Sequence, residues 1–301
     1  MSTRRYLLVR AAWQVGTLFV FVSLAYVVAW VVPDKPLGHD PGYLGFLSNL
    51  AHGSLGRLAP VQGAGVSSRP SVDSIVWDAS KVTLSLLLVT GVFAVALGAL
   101  FAIALVRAPR LRPLVRGIGF VCVSLLPIWT ALYLEIYPGV KWDLVRASGY
   151  CPLHATEGSR CHGLGPWLSS LVVPALALAI FFAGIYGRWL AAAYRARAAE
   201  YRSDVDEGRD RAEARRSVRR WHGLRFARLL SRDFAFALGF ALFVEVVTGL
   251  PGLGTILVSA ARGPDSALLA GALVVGSLLT AGLGFLVDVT CAAVEPRFRR
   301  F

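Results

Sequence analysis

The sequence predicts an all-α integral membrane protein with six transmembrane helices and both termini in the cytoplasm. Three observations predict it: an apolar composition, apolar runs of spanning length that recur along the chain, and an uneven distribution of positive charge. Of the 301 residues, 56% are hydrophobic and 16% charged, and the mean hydropathy is +0.61. That balance lies outside the usual range for a soluble domain of this length. Six segments, at about 11–32, 82–106, 117–137, 168–190, 233–250 and 267–290, are apolar over enough length to cross a core about 30 Å thick at about 1.5 Å per residue. They leave no stretch for a separate soluble domain, so one membrane domain covers 1–301.

Taken in order, the first segment follows Arg4, Arg5 and Arg10 and has no small-residue cleavage site, so it is expected to stay in the membrane with those arginines on its cytoplasmic flank. Residues 33–81 read as a long outer loop punctuated by Pro33, Pro36, Pro41, Pro60 and Pro70. The third segment contains Pro127 and Glu135, and 138–167 forms a second outer loop. The fifth is short, with Glu245 near its far end, and the sixth carries Gly276, Gly282 and Gly284 before Asp288. With the amino terminus inside, the inner segments hold 23 of the 31 Lys and Arg residues, 13 of them in 188–232. That asymmetry sets the orientation. It also accounts for the net charge of +13 as a topology signal, so membrane lipid is the expected partner and nucleic acid is not.

Catalytic signatures are missing. A Walker A loop needs a lysine directly after glycine to reach the terminal phosphates, and none of Lys35, Lys81 and Lys141 follows one. No serine has glycines two before and two after it, and the histidines form no HExxH. The chain is therefore expected to carry no catalytic residue, no metal site and no cofactor of its own. Glu135, Glu245 and Asp288 are costly in a bilayer. Either they sit at segment ends near water, or Glu245 faces the bundle interior and lines or gates a passage.

Cys122 and Cys291 fall in or beside spanning segments and read as small apolar residues. Cys151 and Cys161 share the second outer loop, where an oxidising space would bridge them into a short hairpin. His154 and His162 stand beside them, but the spacing matches no closed zinc pattern.

The inner segment 188–232 is too polar to span and reads as helix, turn, helix against the inner membrane face. It contains Glu200, Tyr201 and Gly208, then a run from His222 through Leu224 and Arg225 to Leu230. Here the chain resembles the dipeptide, oligopeptide and nickel branch of bacterial ABC-importer permeases, the binding-protein-dependent inner membrane components. Glu200-Tyr201 is similar to that family's acidic-Tyr pair, and His222, Leu224 and Arg225 to its His-x-Leu-Arg run. The family glycine falls on Gly208, or on Ala212 if the alignment runs back ungapped from Val218 and His222. Tyr43 to Leu47 and Gly53 to Gly56 resemble its first outer loop, Val82-Thr83-Leu84 the opening of its second span, and Glu295-Pro296-Arg297 its carboxyl end. Glu245 followed by Pro251-Gly252-Leu253-Gly254 is similar to its acidic residue and PGLG turn, where proline would fix one dihedral and the glycines would permit positive φ at a tight outer re-entry.

The resemblance implies a permease-like bundle that pairs with a second permease chain, forming a heterodimer, and with two ABC ATPase subunits that carry ATP and Mg. It implies delivery by an extracytoplasmic substrate-binding protein, peptides or related small solutes as cargo, and a bacterial inner membrane location. Glu200, Tyr201, Gly208, His222, Leu224 and Arg225 would couple to the ATPase, and Glu245, Pro251, Gly252 and Gly254 would belong to the pathway or its gate. Two other readings stand beside this one. A secondary transporter or channel would use Glu245 and Asp288 without an ATPase, and a membrane-embedded enzyme would need a constellation that the residues do not form.

Overall fold

The computed structural model describes residues 3–31, 42–55, 71–145, 149–153, 161, 163–208, 210–263 and 265–294. Among them the regular structure is helical: α1 (Thr3–Val31), α2 (Gly42–Ala51), α3 (Val72–Arg107), α4 (Arg112–Ser124), α5 (Pro127–Leu134), a π-helical turn Glu135–Lys141, α6 (Leu164–Asp206), α7 (Arg211–Thr248), α8 (Leu253–Arg262) and α9 (Ser266–Val294). Four helices are long and apolar enough to cross a membrane, in α1, α3, α6 and α9, and there are six spans if each of two bent helix pairs counts as one.

The bent pairs are the third and fifth expected segments, and both bends have local causes. Between α4 and α5 the direction changes by 94°. Leu126, the residue before Pro127, is extended at ψ 132°, as the proline ring requires of its predecessor, and Pro127 then opens α5, where its missing N–H costs nothing. The second bend, 72° between α7 and α8, falls at the PGLG turn. Segment 117–137 is therefore two helices rather than one straight span.

The expected outer loop 33–81 is also corrected. Residues 32–41 and 56–70 lie outside the described residues, but 42–51 is helical and α3 begins at Val72. Hydropathy stops short here because Asp73, Asp78 and Lys81 interrupt the apolar run, whereas Val72, Val76 and Ala79 recur at helical spacing and are buried against Leu253, Ala260, Leu268 and Leu269. Asp73 accepts the Leu55 N–H at 2.8 Å, tying the start of α3 to the segment before it. The helix α2 leans on α1 through Tyr43, whose hydroxyl meets Ser23 Oγ at 2.6 Å, and through the Tyr26–Tyr43 and Tyr26–Phe46 ring contacts.

The centre of the bundle is the pair α3 and α6, the most extensive helix contact in the molecule. Small residues allow the approach: a Cβ on Gly98 would come within 2.9 Å of Tyr186 Cβ, one on Gly187 within 2.6 Å of Phe101 Cβ, and one on Gly184 within 2.6 Å of the Gly119 carbonyl on α4. Without a hydrophobic drive between helices in lipid, such backbone proximity is the main source of packing energy. Leu86, Leu171, Leu178, Val244 and Leu250 fill the core beside this seam. An outer and a central span differ in kind: 17% of the spanning stretch of α1 is buried within the chain, against 61% for α6. The outer faces of α1 are left for lipid or a partner subunit.

Candidate functional site

The first candidate site is the hairpin made by α6 and α7. At about 1.5 Å per residue, the 43 residues of α6 and the 38 of α7 reach about 65 and 57 Å. Both exceed a bilayer core, so the polar arms of the hairpin are continuations of the fourth and fifth spans rather than a separate element on the membrane face. The arms join at 207–210. Gly208 sits there at φ +85°, a conformation open to glycine and strained for most other residues. Asp210 caps α7 by accepting the N–H groups of Ala212 at 3.1 Å and Glu213 at 3.3 Å. Gly208 thus occupies the turn, while Ala212 is already in the first turn of α7.

Ala214, Val218 and His222, each four residues apart, form the buried stripe of the α7 arm. His222 is 3% exposed, and its Nε2 lies 3.1 Å from Glu200 Oε2 on α6. Burial pushes the imidazole below its usual pKa; the Glu200 carboxylate pulls it back, while Arg197 and Arg225 act in the same direction as burial. Tyr201 and Leu224 are half-buried, and the Leu224 carbonyl lies 3.7 Å from Cys291 Sγ on α9. Arg225 is exposed, with its guanidinium 5.8 Å from the centre of the Trp221 ring.

The second candidate is the corner between α7 and α8. Gly249, in the left-handed region at φ +67°, ends α7, and Gly252 and Gly254 are not at positive φ. Their glycine requirement is one of space. A Cβ on Gly252 would enter the Glu245 carboxyl group, and one on Gly254 would enter the Leu242 carbonyl. Glu245 is 0% exposed, and its Oε2 accepts the Gly254 N–H at 2.7 Å. The neighbouring Leu253 N–H goes to Thr83 Oγ1 on α3 at 2.9 Å. The open N–H groups at the start of α8 are thus met by α7 and α3, with the acidic side chain at the positive end of the helix dipole. Pro251 is exposed at the outside of the bend.

A third cluster was not legible in the sequence. Asp288 on α9 is bridged by Arg10 on α1, Nη2 to Oδ2 at 2.6 Å, and by Arg228 on α7, Nε to Oδ1 at 3.2 Å. This crossing brings the start of α1 and the end of α9 to the same side as the root of the hairpin, the arrangement that the charge distribution implies. Elsewhere, Cys151 and Cys161 are joined, with their Cα atoms 4.9 Å apart. Among the described residues no three His, Cys, Asp or Glu side chains are grouped to hold a metal; His154, His162, Gly56 and 295–297 lie outside the described residues.

The described residues form an all-helical chain with four to six candidate membrane spans, the architecture of a multi-pass membrane protein. Residues 225–300 match the family described as binding-protein-dependent transport system inner membrane component. Over 263 residues the chain is 27% identical to a Brucella abortus (strain 2308) protein named as a peptide transport system permease, covering 84% of this chain and 78% of that one. A similarly named Brucella suis biovar 1 protein is 26% identical over 261 residues, covering 84% of this chain and 77% of its own length. A Brucella ovis protein named as a peptide permease is 25% identical over 280 residues, covering 88% of this chain and 81% of its own length. By these matches the last quarter of the chain is similar to that inner membrane transport family, and most of its length is similar to proteins named as peptide transport permeases.

Proposed function

We propose that this chain forms the translocation pathway of an ATP-driven importer of peptides or related small solutes, together with a second permease chain. Two ABC ATPases, holding ATP and Mg, would dock on the α6–α7 hairpin, and an extracytoplasmic binding protein would deliver the cargo. The observation that carries this reading is the hairpin itself: α6 and α7 run unbroken past the length a bilayer core needs, closed by Gly208 and Asp210 and joined by Glu200–His222.

A docked ATPase pushing on the arms moves α6 and α7 as levers, because no break separates either arm from its span. The α3–α6 seam and the Asp288 crossing then carry the displacement to the rest of the bundle, converting inward-open to outward-open without a covalent step in this chain. Glu245, Pro251, Gly252 and Gly254 would hold the outer corner in a fixed shape beside the pathway or its gate. The Cys151–Cys161 bridge would stiffen the second outer loop, where the binding protein approaches.

The test is co-expression with the ATPase subunits. Glu200→Ala or Arg225→Ala is expected to weaken ATPase association or uncouple hydrolysis from uptake while leaving membrane insertion normal. Full association and transport in both variants, and in a deletion of 203–216, would remove the docking assignment. Transport by this chain alone in proteoliposomes would favour a secondary transporter instead.

A further inference from the structure

Beside the Asp288 crossing lies a cavity of about 820 Å³, lined by residues of α1, α6, α7 and α9. Four arginines face it, Arg10, Arg225, Arg228 and Arg232, together with Trp189 and Trp221. Asp288 is the one carboxylate among its lining residues, and it is engaged by Arg10 and Arg228. The lining therefore carries more positive than negative charge, and Arg10 Nε is buried without a hydrogen-bond partner. Asp233, next in the chain, is 3.7 Å from Arg232, a loose contact made by an arginine that is 75% exposed.

We infer that this cavity binds the phosphate headgroup of an anionic glycerophospholipid from the cytoplasmic leaflet. Three observations favour a membrane lipid over a dissolved anion. The cavity sits where spans end, beside Arg10 at the start of α1 and Asp288 near the end of α9. Its α1 wall belongs to the least buried span, so acyl chains can run down that outer face while the headgroup enters between the helices. Trp189 and Trp221 provide the amphipathic rings that settle at headgroup level. A bound lipid would bridge α1 to the root of the hairpin, reinforcing the Asp288 crossing. Arg225 belongs to both this site and the docking assignment, so the site is tested on the chain alone, with no ATPase present.

The test uses the full chain purified in mild detergent, titrated with phosphatidylglycerol, with phosphatidylcholine and with inorganic phosphate, and read by native mass spectrometry. One phosphatidylglycerol retained per chain is expected, with phosphatidylcholine lost under the same activation. The double variant Arg225→Gln/Arg232→Gln is expected to weaken phosphatidylglycerol binding about 30-fold, at the usual contribution of a basic side chain near an anionic surface. Arg215→Gln/Arg219→Gln, which removes the same charge from exposed positions on the hairpin arm, is expected to leave it unchanged. Equal losses in the two double variants would reduce the effect to diffuse surface charge and overturn the site. So would undiminished retention in the first variant, or displacement of the lipid by millimolar phosphate, which would make the cavity a pocket for a free anion.

Discussion

Two of the three buried carboxylates among the described residues, Glu245 and Asp288, are stabilised by opposite means. Glu245 is fully enclosed and meets a backbone N–H at the start of α8, with Gly252 and Gly254 leaving the space it needs. Asp288 keeps a sliver of exposure and is held by two arginines that themselves reach water, being 37% and 31% exposed. The difference follows from access to water within the fold. Far from water a long cation is expensive to bring along, and fixed backbone donors are the available partners. At the rim, arginine can extend to the aqueous side while bridging helices. The first arrangement shapes a corner, and the second ties three helices together with a contact that salt and lipid can modulate.

Four variants probe that contrast. The largest effect is expected from Gly254→Ala: its Cβ meets the Leu242 backbone, which has no rotamer to yield, so the α7–α8 corner must open at a cost of about 3 kcal/mol. A thermal unfolding midpoint in detergent equal to the parent's would show that the corner is looser than described. Next comes Glu245→Ala, which leaves the Gly254 N–H buried without a partner at about 2 kcal/mol. Glu245→Gln keeps the acceptor and is expected to recover most of that loss. If glutamine is as damaging as alanine, the charge rather than the hydrogen bond holds the corner.

Asp288→Ala is expected to cost about 1 kcal/mol, because both arginines can turn to solvent. Its cost should shrink as salt is raised, whereas that of Glu245→Ala should not. The same salt response in both would erase the distinction between rim and interior. The smallest effect concerns the hairpin. The folded-state pKa of His222 lies below the ordinary value of 6.5, so the unfolded arm binds the proton more readily than the folded one. The stabilisation is present above 6.5 and is lost as pH falls through the lower folded value. The protection factors along the α7 arm, which divide out the slower intrinsic exchange in acid, are expected to fall on acidification, and to lose that dependence in His222→Gln.

Much of the architecture was legible from local signals. Apolar length marked the spans, and Gly208, with the polar stretch around it, marked a turn between two helices. Glu200 and His222 could be read as a pair of interest but not as a contact, since 22 residues separate them. Two boundaries were missed for local reasons. The charged face of 72–81 hid the start of α3, whose apolar residues follow helical rather than continuous spacing. Pro127 was visible in the third segment, but the apolar run continues on both sides of it, so hydropathy alone joined α4 and α5 into one span across the 94° bend. The PGLG glycines were read as sources of positive φ, and it is Gly249 that supplies it.

What the sequence determined by itself is therefore what depends on neighbours along the chain: the apolar runs, the uneven positive charge and the hairpin turn. What the tertiary structure decided is which distant groups meet. Thr83 receives a Leu253 N–H from 170 residues away, Gly252 and Gly254 are needed for clearance, and Arg10, Arg228 and Asp288 converge beside a cationic cavity. The physical reason is that helical periodicity constrains only residues within a turn or two, whereas the partners of a buried polar group are fixed by helix–helix register. That register follows from where small residues let backbones approach, across the whole bundle at once.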